Sequence, residues 1–372
     1  MYLSRLQLIQ FRNYAELLLD FSPGINGITG PNGSGKTNIL DALHYLAFTR
    51  GFRSSQDQQA VQEGESFFFT LGLLQRAGRE EQIQCNFVKG KGKKLLVNQT
   101  ALSRLSEHIG EIPLVAVLPQ DTDLINGPSA GRRQFLDMLI SQYDRAYLRH
   151  LIQYQRLLSQ RNALLKLMGE QRYFDAEQVA LYDEQLIPHG QAIHAGRARF
   201  LADYLPVFGR YFRRIVSEQE TPHLRYRSQL TENTPEAWRA LLAEKLDKDR
   251  VNQYTSVGIH RDDLVFKIND QSVRHFGSQG QQKTFLIALK LAQYELLADH
   301  TQRAPLLLLD DLFDKLDRHR LGQIADLLLE EIRGQVFLTD TTHERLARLF
   351  PPDAKRPIKF FFVQDGKVRA EE

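Results

Sequence analysis

The sequence predicts an α/β protein: a mixed sheet with flanking helices, built from both ends of the chain, with an all-helical lobe inserted between them. Three observations carry that expectation. Short apolar runs of β type stand early, in "INGITG", and late, in "APLLLLDD", "QVFLTD" and "IKFFFV", as buried parallel strands require. Between about residues 125 and 252 the apolar residues instead recur at helical spacing. A glycine-rich turn, "GITGPNGSGKTN", sits after a predicted strand and before a predicted helix.

In chain order, "YLSRLQLIQF" alternates like a strand, "INGITG" ends a strand in a glycine turn, and "TNILDALHYLAF" has the period of a helix. "SFFFTLGLL", "EQIQCNFVK" and "KLLVN" are strand-like runs parted by Gly and charged turns, which suggests a meander. "KGKGKK", residues 89–94, reads as a solvated hairpin tip. The helical region runs from "RRQFLDMLISQYDRAYLRHLIQYQRLLSQRNALLKLM" through "YDEQLIPHGQAIHAGRARFLADYLPVFGRYFRRIV" to "PEAWRALLAEKL". After about residue 255 the mixed pattern returns. The expected division is therefore a discontinuous head, 1–124 and 253–372, around a helical lobe, 125–252.

Composition excludes several classes. With 42% hydrophobic and 25% charged residues the chain is an ordinary globular one, and 372 residues suffice for two domains. Its 48 basic and 45 acidic side chains leave +3, so polyanion binding must come from local patches. A single cysteine, Cys85, excludes an intramolecular disulfide and fits a reducing compartment. The first residues charge too early for a secretory signal, and no segment approaches the ~20 apolar residues that span a bilayer. A cytosolic protein is expected.

The turn matches G-x-x-x-x-G-K-[ST], with Gly30, Pro31, Asn32, Gly33, Ser34, Gly35, Lys36 and Thr37 as the phosphate loop. Its glycines let backbone N–H groups curl around phosphate oxygens at a helix N-terminus. Lys36 would bridge the β- and γ-phosphates of ATP, and Thr37 would offer its hydroxyl oxygen to Mg²⁺. A chance glycine turn is the competing reading. "APLLLLDDLF" adds Asp310 and Asp311 at the end of a buried strand, where open α/β sheets bind ligands. Asp310 is the expected Mg²⁺ partner through water, and Asp311 the carboxylate that orients or deprotonates the attacking water. Two surface acids after a core strand would be the bland alternative.

A polar turn, Ser278, Gln279, Gly280, Gln281 and Gln282, opens an apolar helix upstream of Asp310. That order matches the ATP-binding-cassette ATPases, in which such a signature caps the γ-phosphate held by a second copy of the chain. Ser278 and the N–H groups near Gly280 can donate to phosphate, while Gln281 and Gln282 add neutral hydrogen bonds.

"GSQGQQKT" preceded by "VGIHRDDLVFKIND", with "FRNY", "GPNGSGKTNILDALHYLA", "RGFR" and "GRRQFLD", resembles the RecF family of recombination-mediator ATPases, relatives of the SMC and double-strand-break repair ATPases. The likeness covers nearly the whole chain. It implies an ABC-type ATPase head with a helical lobe in place of long coiled-coil arms. The longest helical run, about 35 residues or ~50 Å, agrees with that. The resemblance further implies that Arg12 reaches the nucleotide phosphates, that Gln120 senses Mg²⁺, and that Asp314 and Asp317 lie in the loop facing the partner chain. It implies an ATP-dependent homodimer that clamps duplex or gapped DNA without base readout, weak DNA-stimulated hydrolysis, and work with RecR, RecO and RecA in repair of gapped or stalled replication DNA. "VFLTDTTH" departs from cassette ATPases in general, since Thr339 and Asp340 stand where a switch histidine is usual and His343 comes later. Slow turnover is the expected consequence.

"GIHRDD" offers His260, Asp262 and Asp263 as a metal cluster, against the plainer reading of a polar turn whose charges pair locally. The arginines of "GRRQF", "GRARF", "GRYFRRI" and "LRYR" fit either a solvated helix face or a phosphate-tracking surface. Aromatics beside them could stack on bases or fill the core. Cys85 is expected to be a small buried strand residue. Three rivals share the phosphate loop: a transport ATPase subunit, which would carry an LSGGQ-type signature and a switch histidine; a small-metabolite kinase, which needs no signature; and a scaffold in which ATP only joins subunits.

Overall fold

The computed structural model describes residues 1–54, 56–216, 220–312, 316–351 and 355–371. From the N-terminus, β1 (Tyr2–Phe11) and β2 (Tyr14–Asp20) pair, β3 (Ile25–Thr29) enters the glycine turn, and α1 (Lys36–Phe48) leaves it. The meander follows as β4 (Phe67–Arg76), β5 (Arg79–Val88), β6 (Gly92–Val97) and β7 (Thr100–Ala101), then β8 (Leu114–Val117). Next come α2 (Thr122–Asn126), α3 (Ser129–Ser141), α4 (Arg145–Gln171), α5 (Ala176–Ile215), β9 (Pro222–Arg227), α6 (Pro235–Glu244) and α7 (Leu246–Asn252). The rest is β10 (Asp263–Ile268), β11 (Gln271–Ser272), α8 (Val273–Phe276), α9 (Gln279–Thr301), β12 (Leu306–Leu309), α10 (Arg318–Glu330), β13 (Val336–Asp340), α11 (His343–Leu349), β14 (Ile358–Gln364) and β15 (Lys367–Glu371).

Two compact units result: Met1–Asp121 with Arg214–Val216 and the chain from Ile287 onward, and Thr122–Arg213 with the described residues from Glu220 to Leu286. In the first unit one sheet has the order β2-β1-β4-β5-β6-β7 and the other β15-β14-β3-β13-β12-β8. In the second sheet β14, β3, β13, β12 and β8 run parallel, and β15 is antiparallel at the edge. Every residue of β3, β12 and β13 is buried, which is why these strands lack the apolar–polar alternation of a half-exposed sheet. α1 touches β4 and β5 of one sheet and β13 of the other, and all its residues but Thr37 are buried. A helix covered on all sides needs no polar face. Cys85 is buried in β5 as expected.

The second unit corrects three expectations. It extends through residue 286 rather than ending at 252, and it is not all-helical, because β9 pairs antiparallel with β10, which in turn pairs with β11. β9, "PHLRYR", is short and charged with a single fully buried residue, so its apolar signal is weak. The longest helix is α5, with 40 residues continuing through Pro188 and Pro206. Its buried stripe, including Leu186, Ile193, Phe200, Tyr204, Phe208 and Phe212, outweighs the backbone hydrogen bond each proline removes. The run that begins at "RRQFLD" breaks at Asp144, whose carboxylate caps α4 by accepting from the Tyr147 N–H at 2.8 Å.

The arginines of this unit settle against both sequence readings at the core positions. Arg132 pairs with Asp263 at 2.7 Å, and Arg197, 1% exposed, donates to Asp137 (2.9 Å) and lies 3.4 Å from Asp262. The charges of "GIHRDD" therefore pair with residues far away in sequence, not locally. His260 is held by the Tyr154 hydroxyl (2.9 Å) and the Thr255 carbonyl (3.0 Å), and burial pushes it down to about 4. Among the described residues no cluster of three or more His, Cys, Asp or Glu could hold a metal. The aromatics Phe208, Phe212, Phe266 and Phe285 pack on one another as core. Arg197→Leu leaves the buried Asp262 and the part-buried Asp137 without their shared cation, and a loss of about 3–5 kcal/mol is expected from the urea unfolding midpoint. A loss below about 1 kcal/mol, the value of an exposed pair, would contradict a structural role for Arg197.

Candidate functional site

The site grows from the C-terminal edge of the parallel strands, where open sheets present their loops. β3 ends at Thr29, and the chain turns through Gly30 at φ +144°, Gly33 at +79° and Gly35 at +118°. A Cβ at Gly30 would stand 2.1 Å from the Val363 carbonyl oxygen, so glycine is forced there by β14 as well as by φ. The "FRNY" turn props the loop from the other side. Asn13 donates to the Ser34 carbonyl at 3.2 Å and accepts from Asn38 at 2.7 Å, while the Tyr14 hydroxyl donates to the Gly35 carbonyl at 3.1 Å.

Lys36 folds back onto the loop, donating to the carbonyls of Gly30 (2.7 Å) and Pro31 (2.9 Å). Burial lowers its pKa, against the pull of Asp311, Asp310 and Asp340. Thr37 donates to the Asp310 carboxylate, 3.0 Å from each oxygen. Asp310 is 5% exposed. Burial raises its carboxyl, opposed by the hydrogen bonds from Thr339 and Thr37. Asp311 is exposed at φ +49°.

The residues present fit a triphosphate with a divalent cation. Ser34 Oγ is buried in the loop without a hydrogen-bond partner, and a cavity of about 440 Å³ opens on Pro31, Asn32, Gly33 and Ser34. Thr37 and Asp310 offer the oxygen donors that Mg²⁺ prefers. Arg12 is fixed by Asp41 (2.7 Å) and the Gln59 carbonyl (2.8 Å) on the rim of a second cavity, about 600 Å³, lined also by Asn38 and Arg53.

The remaining expected positions divide. Ser278 caps α9 reciprocally: its hydroxyl accepts from the Gln281 N–H at 3.2 Å, and the Gln281 side chain accepts from the Ser278 N–H at 2.9 Å. Gln279 beside it is exposed and Gly280 half-buried. Gln282 is engaged elsewhere, donating to the Val273 and Gly277 carbonyls, both at 3.2 Å, and accepting from Asn126 at 3.1 Å. It braces the turn, correcting the expectation that it points to phosphate. Gln120 is exposed in the turn after β8, the strand beside β12. Asp317 caps α10 through the Arg320 N–H at 2.9 Å, and Asp314 lies outside the described residues. His343 stands 2.9 Å from Glu371 and packs edge-on against Phe360. Asn13, Tyr14 and Thr339 contribute without any role that the sequence alone assigns them.

A phosphate loop after β3 and an acid pair after β12, with β13 between them in a parallel sheet, define a P-loop ATPase head of the ATP-binding-cassette type. The family described as RecF/RecN/SMC N terminal domain matches residues 2–368. A DNA replication and repair protein RecF from Parabacteroides distasonis is 41% identical over 372 residues, covering 100% of both chains; one from Flavobacterium johnsoniae is 44% identical over 345 residues, 93% of this chain and 95% of its own. The chain belongs to the RecF family. A solved structure described as the recombination mediator protein RecF-ATP in the RecFOR pathway matches with TM-score 0.89 at 30% identity, over 100% of this chain and 98% of that one. An Smc head domain from Pyrococcus furiosus, at TM-score 0.58 and 17% identity over 100% of this chain and 96% of its own, shares the fold. Among the described residues no helix is long and apolar enough to cross a membrane.

Proposed function

We propose that this chain is an ATP-dependent DNA-binding protein of recombinational repair whose two-chain closed form holds DNA. The observation that carries the reading is the contact of Thr37 with Asp310, which joins the phosphate loop to the acid strand in one oxygen-lined site. ATP is the substrate, held by residues 30–37 with Lys36 on its phosphates. Mg²⁺, held by Thr37 and by Asp310 through water, would neutralise charge on the phosphates. Asp311 orients the attacking water. Its carboxylate is one methylene shorter than the glutamate of transporters, and hydrolysis is correspondingly slow.

The capped N-terminus of α9 supports a role in trans. Ser278 keeps its own proton to donate while its lone pair is used in the cap, and the helix end favours an anion. In this reading the signature of one chain closes on the ATP of another, with Asp317 and Gln120 at the same junction and Arg12 near the nucleotide. The closed dimer clamps duplex or gapped DNA, DNA stimulates hydrolysis, and hydrolysis releases the clamp. The RecFOR pathway in the description of a solved relative supports work with RecR and RecO, and the reading extends this to RecA loading in the cytoplasm. Fluorescence anisotropy with a gapped duplex tests this: ATP and Mg²⁺ should tighten binding about tenfold or more, with a steep salt dependence and no sequence preference. Equal binding with and without ATP would sink it.

A further inference from the structure

Thr339 stands where cassette ATPases in general place a histidine, yet it is built into the acid pair. It lies on β13, the strand between β3 and β12, and is 1% exposed. Its hydroxyl does two things at once. It donates to Asp310 Oδ1 at 2.7 Å and accepts from the Asp311 N–H at 2.9 Å. His343, later in the same segment, stands against Glu371 and Phe360.

We propose that Thr339 is the positioning residue of this site, setting the Asp310 carboxylate and the Asp311 backbone in register through one hydroxyl. Two features make the second contact matter. Asp311 sits in the left-handed region at φ +49°, which an L side chain adopts at some cost, so a fixed acceptor for its N–H is needed to hold the turn. The residue thus held is the one that orients water. Asp310 meanwhile shares its Oδ1 between Thr37 and Thr339. When Thr37 turns its oxygen to the cation, Thr339 still fixes the carboxylate. The catalytic geometry is therefore set from the strand between the two motifs and does not depend on a histidine. The inference rests on the ATPase reading above.

Thr339→Val keeps the shape of the side chain and removes the hydroxyl, whereas Thr339→Ser keeps the hydroxyl. For Thr339→Val, kcat should fall about 10- to 100-fold, because small misplacements at the reacting centre are costly in rate, while KM for ATP stays within about threefold. The Mg²⁺ concentration that half-saturates labelled-ATP binding should rise, and binding without Mg²⁺ should stay the same; a merely structural role would not separate these two. Thr339→Ser should return each value to near that of the unmodified chain, which keeps the test informative if the valine variant folds poorly. A kcat unchanged in Thr339→Val, or lost equally in Thr339→Ser, overturns the inference while a Lys36-dependent rate in the unmodified chain leaves the ATPase reading standing. Absence of any Lys36-dependent hydrolysis in the unmodified chain overturns both.

Discussion

Lys36→Ala is expected to weaken ATP affinity at least about 100-fold, or about 2.7 kcal/mol, and to remove ATP-dependent DNA binding with it. The ammonium is the one cation set inside the phosphate loop, held by the Gly30 and Pro31 carbonyls at 2.7 and 2.9 Å. Those carbonyls are weak partners compared with a triphosphate, to which Lys36 can transfer without rebuilding the loop. Asn13 and Tyr14 hold Ser34 and Gly35 independently of Lys36, so the variant should keep its fold and its unfolding midpoint. Titration with a fluorescent ATP analogue and the gapped-duplex assay, run on the same sample, check the two effects together. Retained ATP-stimulated DNA binding would show that nucleotide and DNA are not linked.

Ser278→Asp is expected to abolish ATP-induced dimers while leaving ATP binding by the single chain near normal. Aspartate caps a helix about as well as serine, so the bond now made to the Gln281 N–H at 3.2 Å can be replaced and α9 should keep its stability. What changes is charge. In the proposed dimer, a carboxylate at this helix end would repel the γ-phosphate of the partner's ATP and occupy the site of an anion. Ser278→Arg adds bulk without the cap and should also block dimers, at a further cost of about 1 kcal/mol in helix capping. Comparing the two separates the capping role of Ser278 from its role toward a second chain. Normal dimerisation of both variants would place the signature outside the ATP junction.

The parallel sheet was legible because its central strands carry short apolar runs whose burial is local information, as in "LLLL" and the "VFL" of β13. The phosphate loop and Asp310 were legible for the same reason: each is a short motif with its own strand. Thr339, Asn13 and Tyr14 were not assigned, because their role lies in partners reached through topology. Thr339 meets Asp310 across 29 residues, and Tyr14 meets Gly35 across 21. The buried arginines show the same limit. In sequence Arg132 and Arg197 look like any surface arginine, and only the fold brings Asp263 and Asp137 to them. β9 was read as part of a helical lobe because the edge strand of a three-stranded sheet needs little apolar patterning, and α5 outran its prolines because its buried aromatic stripe is long.

Whether ATP brings two copies of this chain together is measured most directly by light scattering. The unmodified protein would be run without nucleotide, with ATP and Mg²⁺, and with both plus a gapped duplex. The expected mass is that of one chain without nucleotide and of two with ATP and Mg²⁺, with DNA strengthening the shift. A mass that ignores nucleotide would contradict the two-chain site and leave a phosphate loop acting within a single chain.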